Sequence, residues 1–285
     1  MRRSPALLLA LLLLLSACAP AEPTLRAGLR ASHYGIQPFP APDWWVDSAT
    51  SMASRFPDAA PTVIWIVGVV NDEDCWLNFP APEGATPEAY PRILFSPTDD
   101  NAAYLDRFDE AGVRVWLQVE PGSADVGQLI DLMLDRYGDH PSVIGVGVDV
   151  EWYRQTECRN GCAVGDAEAA AWVERVRAHD RRYRLFLKHW LPERLPPTER
   201  EGLLFLDDSQ QFVSLEAMVE EFQAWGEHFA PAPVGFQFGY PADHGWWAAF
   251  DDPPATIGQA LIEAVPNLTD LYWVDFTADQ LWPQE

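Results

Sequence analysis

Eight short apolar runs, rich in Val, Ile, Leu and Phe, follow one another along the chain with helix-like segments between them. The runs fall at 29–37, 62–70, 113–120, 143–152, 184–190, 203–210, 234–240 and 270–277. Helix-like segments are clearest at 101–111, 123–137, 166–179, 215–229 and 256–265, and between the first two runs only 49–55 is available. Ser123, Asp166 and Ser214 read as N-caps, and Gly138 as a C-terminal stop. Strands that alternate with helices build a parallel sheet, because a parallel pair needs a long crossover. Eight such units in one file predict an α/β chain folded as a single (β/α)8 TIM barrel. A doubly wound open sheet is the competing solution, but no Gly-rich phosphate loop follows the first strand.

The start of the chain reads differently. Arg2 and Arg3 precede an apolar run from Ala6 to Leu15, followed by Ser16-Ala17-Cys18. A charged start, a short apolar stretch and small residues make a signal peptide, and the run is too short to be a membrane span. Leu15-Ser16-Ala17-Cys18 resembles the bacterial lipobox. The resemblance implies cleavage before Cys18, lipid on its sulfur, and anchoring in the cell envelope, with Ala19 favouring an outer membrane. An ordinary secretory signal is the alternative. The expected organisation is a signal at 1–17, an anchor and linker at 18–28, and one barrel domain at 29–285. Acidic residues number 43 against 19 basic ones, a net charge of −24, which argues against nucleic acid and anionic lipid as charge-bound partners. Export permits disulfides. Cys158 can pair with Cys162 around a turn, or Cys75 can pair with either of them; one thiol is left over in both cases.

In a barrel of this kind, functional groups sit at the C-terminal ends of the strands. Those ends are polar here, whereas the opposite ends are mostly Val, Leu or Ile. In strand order they offer His33, Tyr34 and Gln37; Gln118 and Glu120; Asp149 and Glu151; Lys188, His189 and Trp190; Asp207 and Asp208; Gln237 and Tyr240; and Trp273 and Asp275. Strand parity points Trp116, Gln118 and Glu120 inward, along with Phe186, Lys188 and Trp190. It leaves open which of Asp207 and Asp208 faces in. Asp149 and Glu151, two residues apart on an extended chain, share a face with Cα atoms roughly 6–7 Å apart. Carboxylates at the end of a buried strand are costly, which marks a site. Lys188, the chain's single lysine, falls among them.

Paired carboxylates amid aromatic residues point to glycoside hydrolysis, since Trp and Tyr faces stack on sugar rings. The chain has 13 Trp residues, and Trp44, Trp45, Trp76, Trp152, Trp190, Trp246, Trp247 and Trp273 fall in or near the expected mouth. Gly147-Val148-Asp149-Val150-Glu151-Trp152 resembles the Asp-x-Glu strand end of glycoside hydrolase family 18, the chitinase-like barrels. It is also similar to the Asp-x-Glu of family 25, the lysozyme-type barrels. The chitinase-like resemblance implies that Glu151 is the general acid and that Asp149 orients the substrate's acetamido group. It also implies a role for Trp273 and, more loosely, Tyr240. The chain departs from that pattern at Ile144 and Gly147, where two further acidic residues are expected. A direct mechanism pairs Glu151 with Asp208 or Asp275 as base or nucleophile. The implied partner is a polysaccharide or oligosaccharide, contacted by Gln118, Glu120, Lys188, Trp190, Gln237, Tyr240 and Trp273. No cofactor and no metal site is expected, as neither His-x-His nor HExxH spacing occurs. The competing readings are a sugar-binding barrel without catalysis, a Schiff-base lyase on Lys188, and a metal-dependent hydrolase on His33, His189 and Asp208.

Overall fold

The computed structural model describes residues 25–284. Cys18 and the expected signal segment lie outside the described residues. The elements are β1 (Arg26–Ala31), α1 (Pro42–Ala53), β2 (Ala60–Asn71), β3 (Asp74–Leu77), β4 (Ile93–Phe95), α2 (Ala102–Ala111), β5 (Arg114–Val119), α3 (Val126–Tyr137) and β6 (Val143–Asp149). They continue with α4 (Asp166–His179), β7 (Arg184–Lys188), β8 (Leu203–Asp207), α5 (Leu215–Phe229), β9 (Val234–Phe238), α6 (His244–Trp247), α7 (Pro253–Ala264), β10 (Leu268–Val274) and α8 (Ala278–Leu281).

Strand β1 pairs in parallel with both β2 and β10, which closes the sheet into a barrel in the order β1-β2-β5-β6-β7-β8-β9-β10. Closure excludes the open doubly wound sheet. The fold is a single (β/α)8 TIM barrel. Strands β3 and β4 extend the sheet from β2, with β3 antiparallel to it. The fifth crossover, between β7 and β8, is reduced to a single 3-10 turn at Pro192–Arg194.

Side chains alternate across each strand and make two cores. Ile64, Trp116, Phe186, Leu204, Leu206 and Tyr272 fill the barrel interior. Residues of the other parity, such as Leu29, Val63, Val115, Val148 and Leu187, pack against the helices. Gly147 explains part of this inner packing. A Cβ there would lie 1.9 Å from Cζ of Phe186, so the ring occupies the space an inner side chain on β6 would need.

The opposite end of the barrel is less apolar than its strand starts imply. Arg26 donates to both carboxylate oxygens of Asp270, at 2.8 and 2.7 Å, and stacks over Trp116. The Tyr272 hydroxyl also donates to Asp270, at 2.7 Å. Burial alone would raise the Asp270 carboxyl, but Arg26, Thr269 and Tyr272 hold it below its usual value. Replacing Asp270 with Ala removes the bidentate carboxylate that the buried Arg26 guanidinium holds, and should cost about 3–5 kcal/mol in a denaturant titration.

Several boundaries differ from expectation. The first strand was placed at 29–37 but is Arg26–Ala31, so the barrel begins before residue 29 and the segment after Ala31 is loop. The first helix is Pro42–Ala53 rather than 49–55; Pro42 at its first position ends the loop cheaply. Asp125, not Ser123, caps α3 by accepting from the Gln128 amide. Asp166 is the first residue of α4 rather than its cap, and its carboxylate accepts from Thr198 and Glu199. Ser214 does cap α5, accepting from the Ala217 amide. Gly138 does end α3.

Candidate active site

Three neighbouring strands set the centre of the site. Asp149 closes β6 and lies in register with Lys188 at the end of β7. Leu204 and Leu206 of β8 face inward, so Asp208, one residue past the strand, continues that face. Asp207 turns the other way, accepts from the Ser209 amide and feels Glu221 of α5. The ambiguity between the two therefore resolves to Asp208. Lys188 Nζ stands 2.8 Å from Asp149 Oδ2 and pairs with Asp208 Oδ2.

The strand expected at 143–152 is shorter in the structure. It stops at Asp149, and Val150–Trp152 form a 3-10 turn. That turn carries Glu151 out of the strand and leaves it partly buried, whereas Asp149 is fully buried. The loop beyond is folded back under the turn. Cys162 donates its amide to Tyr153 O at 2.7 Å, and Cys158 and Cys162 form a disulfide, leaving Cys75 as a buried free thiol among the described residues. Gly161 lies so close that a Cβ would be 1.9 Å from Val150 O, at a φ of +76° that favours glycine.

The electrostatics follow from three carboxylates around one ammonium. Burial would strip the Lys188 proton, but Asp149 and Asp208 hold it well above the usual lysine value. Burial raises the Asp149 carboxyl, opposed by Lys188 and reinforced by Glu151, Asp208 and Glu120. Glu151 is pushed up to about 7, by burial first, with Lys188 opposing and Asp208 and Glu120 adding to the rise. A carboxyl at that value exchanges its proton near neutral pH.

A second network flanks the first. Glu120, at the end of β5, accepts from the Tyr34 hydroxyl at 2.5 Å and from the Val70 amide at 3.1 Å. Arg30, inward on β1, donates to the same Tyr34 oxygen, to Ser32 Oγ at 3.1 Å and to Asp275 Oδ1 at 2.8 Å. Ser32 donates its amide and its hydroxyl to Asp275 Oδ2, both at 2.6 Å. Asp275 is thus fully buried and fully bonded, and it holds Arg30 rather than offering a free carboxylate. Arg30 was missed in the sequence because the first strand was set too late; on the observed strand, its parity with Gly28 places it inside.

The remaining polar groups have spare capacity. Gln237 accepts from the Tyr240 hydroxyl at 3.2 Å. Its Nε2, both ends of the Gln118 amide, Asp149 Oδ1 and Asp208 Oδ1 are buried without a hydrogen-bond partner among the described residues. Buried polar atoms in that state are usually met by ordered water or a ligand.

Three expectations fail on geometry. Trp273 does not face the barrel interior: it packs outside β10 against Phe238 and Trp247 and donates to Thr277 Oγ1 at 2.9 Å. The exposed aromatic rim is instead Tyr34 and Phe276, with ring centres 6.2 Å apart, and Tyr240 lies 6.3 Å from Phe276. Trp190 lies past the end of β7, half-buried beside His189. The His33, His189 and Asp208 metal set does not form. His33 stacks on Phe39, while His189 meets Asn160 O with one nitrogen and the Leu191 amide with the other. Among the described residues, the grouping that brings three potential metal-ligand residues together is Asp106, Asp109 and His140, outside the barrel mouth. The Schiff-base reading needs a neutral amine, and Lys188 is held charged by two carboxylates. Sizeable cavities lie elsewhere among the described residues. One of about 800 Å³ at the other end of the barrel borders Arg26, Arg114 and Arg184, and one of about 730 Å³ borders Phe79, Tyr90 and Arg136.

No protein-family model matches the chain, and no curated protein matches its sequence. Solved structures do match in shape. A provisionally assigned alpha-L-fucosidase from Bacteroides thetaiotaomicron aligns over 99% of this chain and 97% of its own, at 10% identity and a TM-score of 0.53. Beta-glucuronidase 2 of Bacteroides uniformis, covalently bound to cyclophellitol-6-carboxylate aziridine, aligns over 88% of this chain at 11% identity and a TM-score of 0.51. This chain spans 30% of that longer protein. At such identities the likeness is one of fold.

Proposed function

We propose that the chain is an exported glycoside hydrolase of the TIM-barrel type, with Glu151 as general acid. One observation carries the reading: a partly buried carboxyl, pushed up to about 7, sits in the turn that follows Asp149 at the C-terminal mouth, where Lys188 pairs with both Asp149 and Asp208. A neutral-pH acid beside a second carboxylate is the equipment that glycosidic bond cleavage needs. The fold shared with the alpha-L-fucosidase and the beta-glucuronidase agrees with it, as an analogy of scaffold.

In this reading Glu151 gives its proton to the glycosidic oxygen as the C–O bond breaks. Asp208, whose Oδ1 is free of hydrogen bonds, is the second carboxylate, either attacking the anomeric carbon or taking the proton of the attacking water. Asp149 orients the cluster through Lys188. The direct route is favoured over substrate assistance, because Phe186 fills the space beside Gly147 where the chitinase-like pattern places an inner acid. Asp275 acts through Arg30 and Tyr34. Gln118, Gln237, Tyr240 and Glu120 line the floor on which the sugar rests, with Trp190 beside it.

The same missing acid supports a second reading, a sugar-binding barrel without catalysis. Reducing-end release from a panel of glycans, measured alongside binding, separates the two. Cleavage supports the enzyme, and binding without cleavage supports the binding protein. The lipid anchor at Cys18, and with it a place in the bacterial envelope, belongs to the proposal as well. Labelled fatty acid should enter the wild-type protein and not Cys18→Ala; equal labelling of both would remove the anchor from the account.

A further inference from the structure

The charge of the mouth limits the sugars it can take. Four carboxylates lie at or beneath it, Glu120, Asp149, Asp208 and the fully bonded Asp275, and Glu151 adds a fifth above about pH 7, against two cations, Arg30 and Lys188. Both cations are already engaged. Lys188 pairs with Asp149 and Asp208, and Arg30 is shared among Asp275, Ser32 and Tyr34. A sugar carboxylate entering here finds no free positive partner, and it must either displace a buried ion pair or sit beside like charges. The unused hydrogen-bonding capacity leans the same way. Asp149 Oδ1, Asp208 Oδ1 and Gln118 Oε1 are open acceptors, whereas the open donors are the amide nitrogens of Gln118 and Gln237. Acceptors of that kind are met by hydroxyl or ammonium groups.

We infer that the site selects glycans presenting hydroxyl or ammonium donors to its floor and rejects carboxylate-bearing sugars. This rests on the glycan reading above. The rejection works by leaving charges unpaired and not by shape, one of the two ways a site builds specificity.

Calorimetry of the wild-type protein at low temperature with three tetrasaccharides tests it: a chitosan tetramer, cellotetraose and a tetragalacturonate. The galacturonate is expected to bind on the order of 100-fold more weakly than the better of the other two. Asp208→Asn removes one carboxylate from the floor and should narrow that deficit several-fold. A galacturonate that binds as well as the others, or better, overturns the inference while leaving the glycan reading in place. A deficit unchanged in Asp208→Asn assigns the selectivity to the acidic outer surface and also overturns it. Binding of none of the three removes both readings together.

Discussion

Glu151→Gln should lower glycan hydrolysis by about 10²–10⁴-fold, the usual contribution of a positioned general acid. Gln keeps the shape of the side chain and loses only the proton, so folding and glycan binding should persist. The pH profile gives the same group a second signature. Glu151 is raised to about 7, so it is protonated below that pH and loses its proton above it. In the wild type, kcat/KM should fall tenfold per pH unit on the alkaline side of about 7, and that limb should be missing from the residual activity of Glu151→Gln. An alkaline limb that survives in the variant would assign the ionisation to another group. Because Asp149, Glu151 and Asp208 surround one ammonium, the limb reports the cluster rather than an isolated carboxyl.

Lys188→Met should be the most destabilising substitution at the mouth, by about 3–5 kcal/mol, because it leaves Asp149 and Asp208 buried with no counter-charge. The pH dependence of the loss has a definite sign. Without Lys188, burial and the neighbouring carboxylates raise the Asp149 carboxyl further above its unfolded value. A group raised on folding contributes stability that is present below its unfolded pKa and is lost as pH rises through the folded one. The variant should therefore lie closest to wild type near pH 4 and fall furthest behind near pH 8, as read by denaturant midpoints across that range. Adding Asp149→Asn and Asp208→Asn to Lys188→Met should recover part of the deficit, since a neutral polar floor needs no counter-ion. A Lys188→Met loss that is equal at both pH values would mean that the ammonium contributes packing alone.

The barrel was legible in the chain because eight apolar runs with polar ends leave few ways to close a parallel sheet. The placement of Lys188, Gln118 and Glu120 followed from parity alone, since a period of two along a strand leaves no intermediate direction. What escaped was register at the strand ends. The first strand starts three residues earlier and ends six residues earlier than expected, because Ala31-Ser32-His33-Tyr34 continues an extended pattern that the structure spends on a loop. That shift concealed Arg30, whose guanidinium joins Asp275, Ser32 and Tyr34. Glu151 was placed on a strand, whereas a 3-10 turn raises it toward solvent. Trp273 was read as facing the site on a family resemblance; parity on β10, with Asp270 and Tyr272 inside, puts it on the helix side. The absence of an acid at Gly147 was visible in the sequence, but its reason was not. Only the packing shows the Phe186 ring in that space.

Wild-type protein should cleave a glycosidic bond, and reducing-end release at pH 6 across peptidoglycan, chitin-like, neutral and amino-sugar oligosaccharides tests this most directly. Cleavage of at least one of them, lost in Glu151→Gln with binding retained, is the expected result. Tight binding without cleavage in the wild type, or cleavage undiminished in Glu151→Gln, would contradict it.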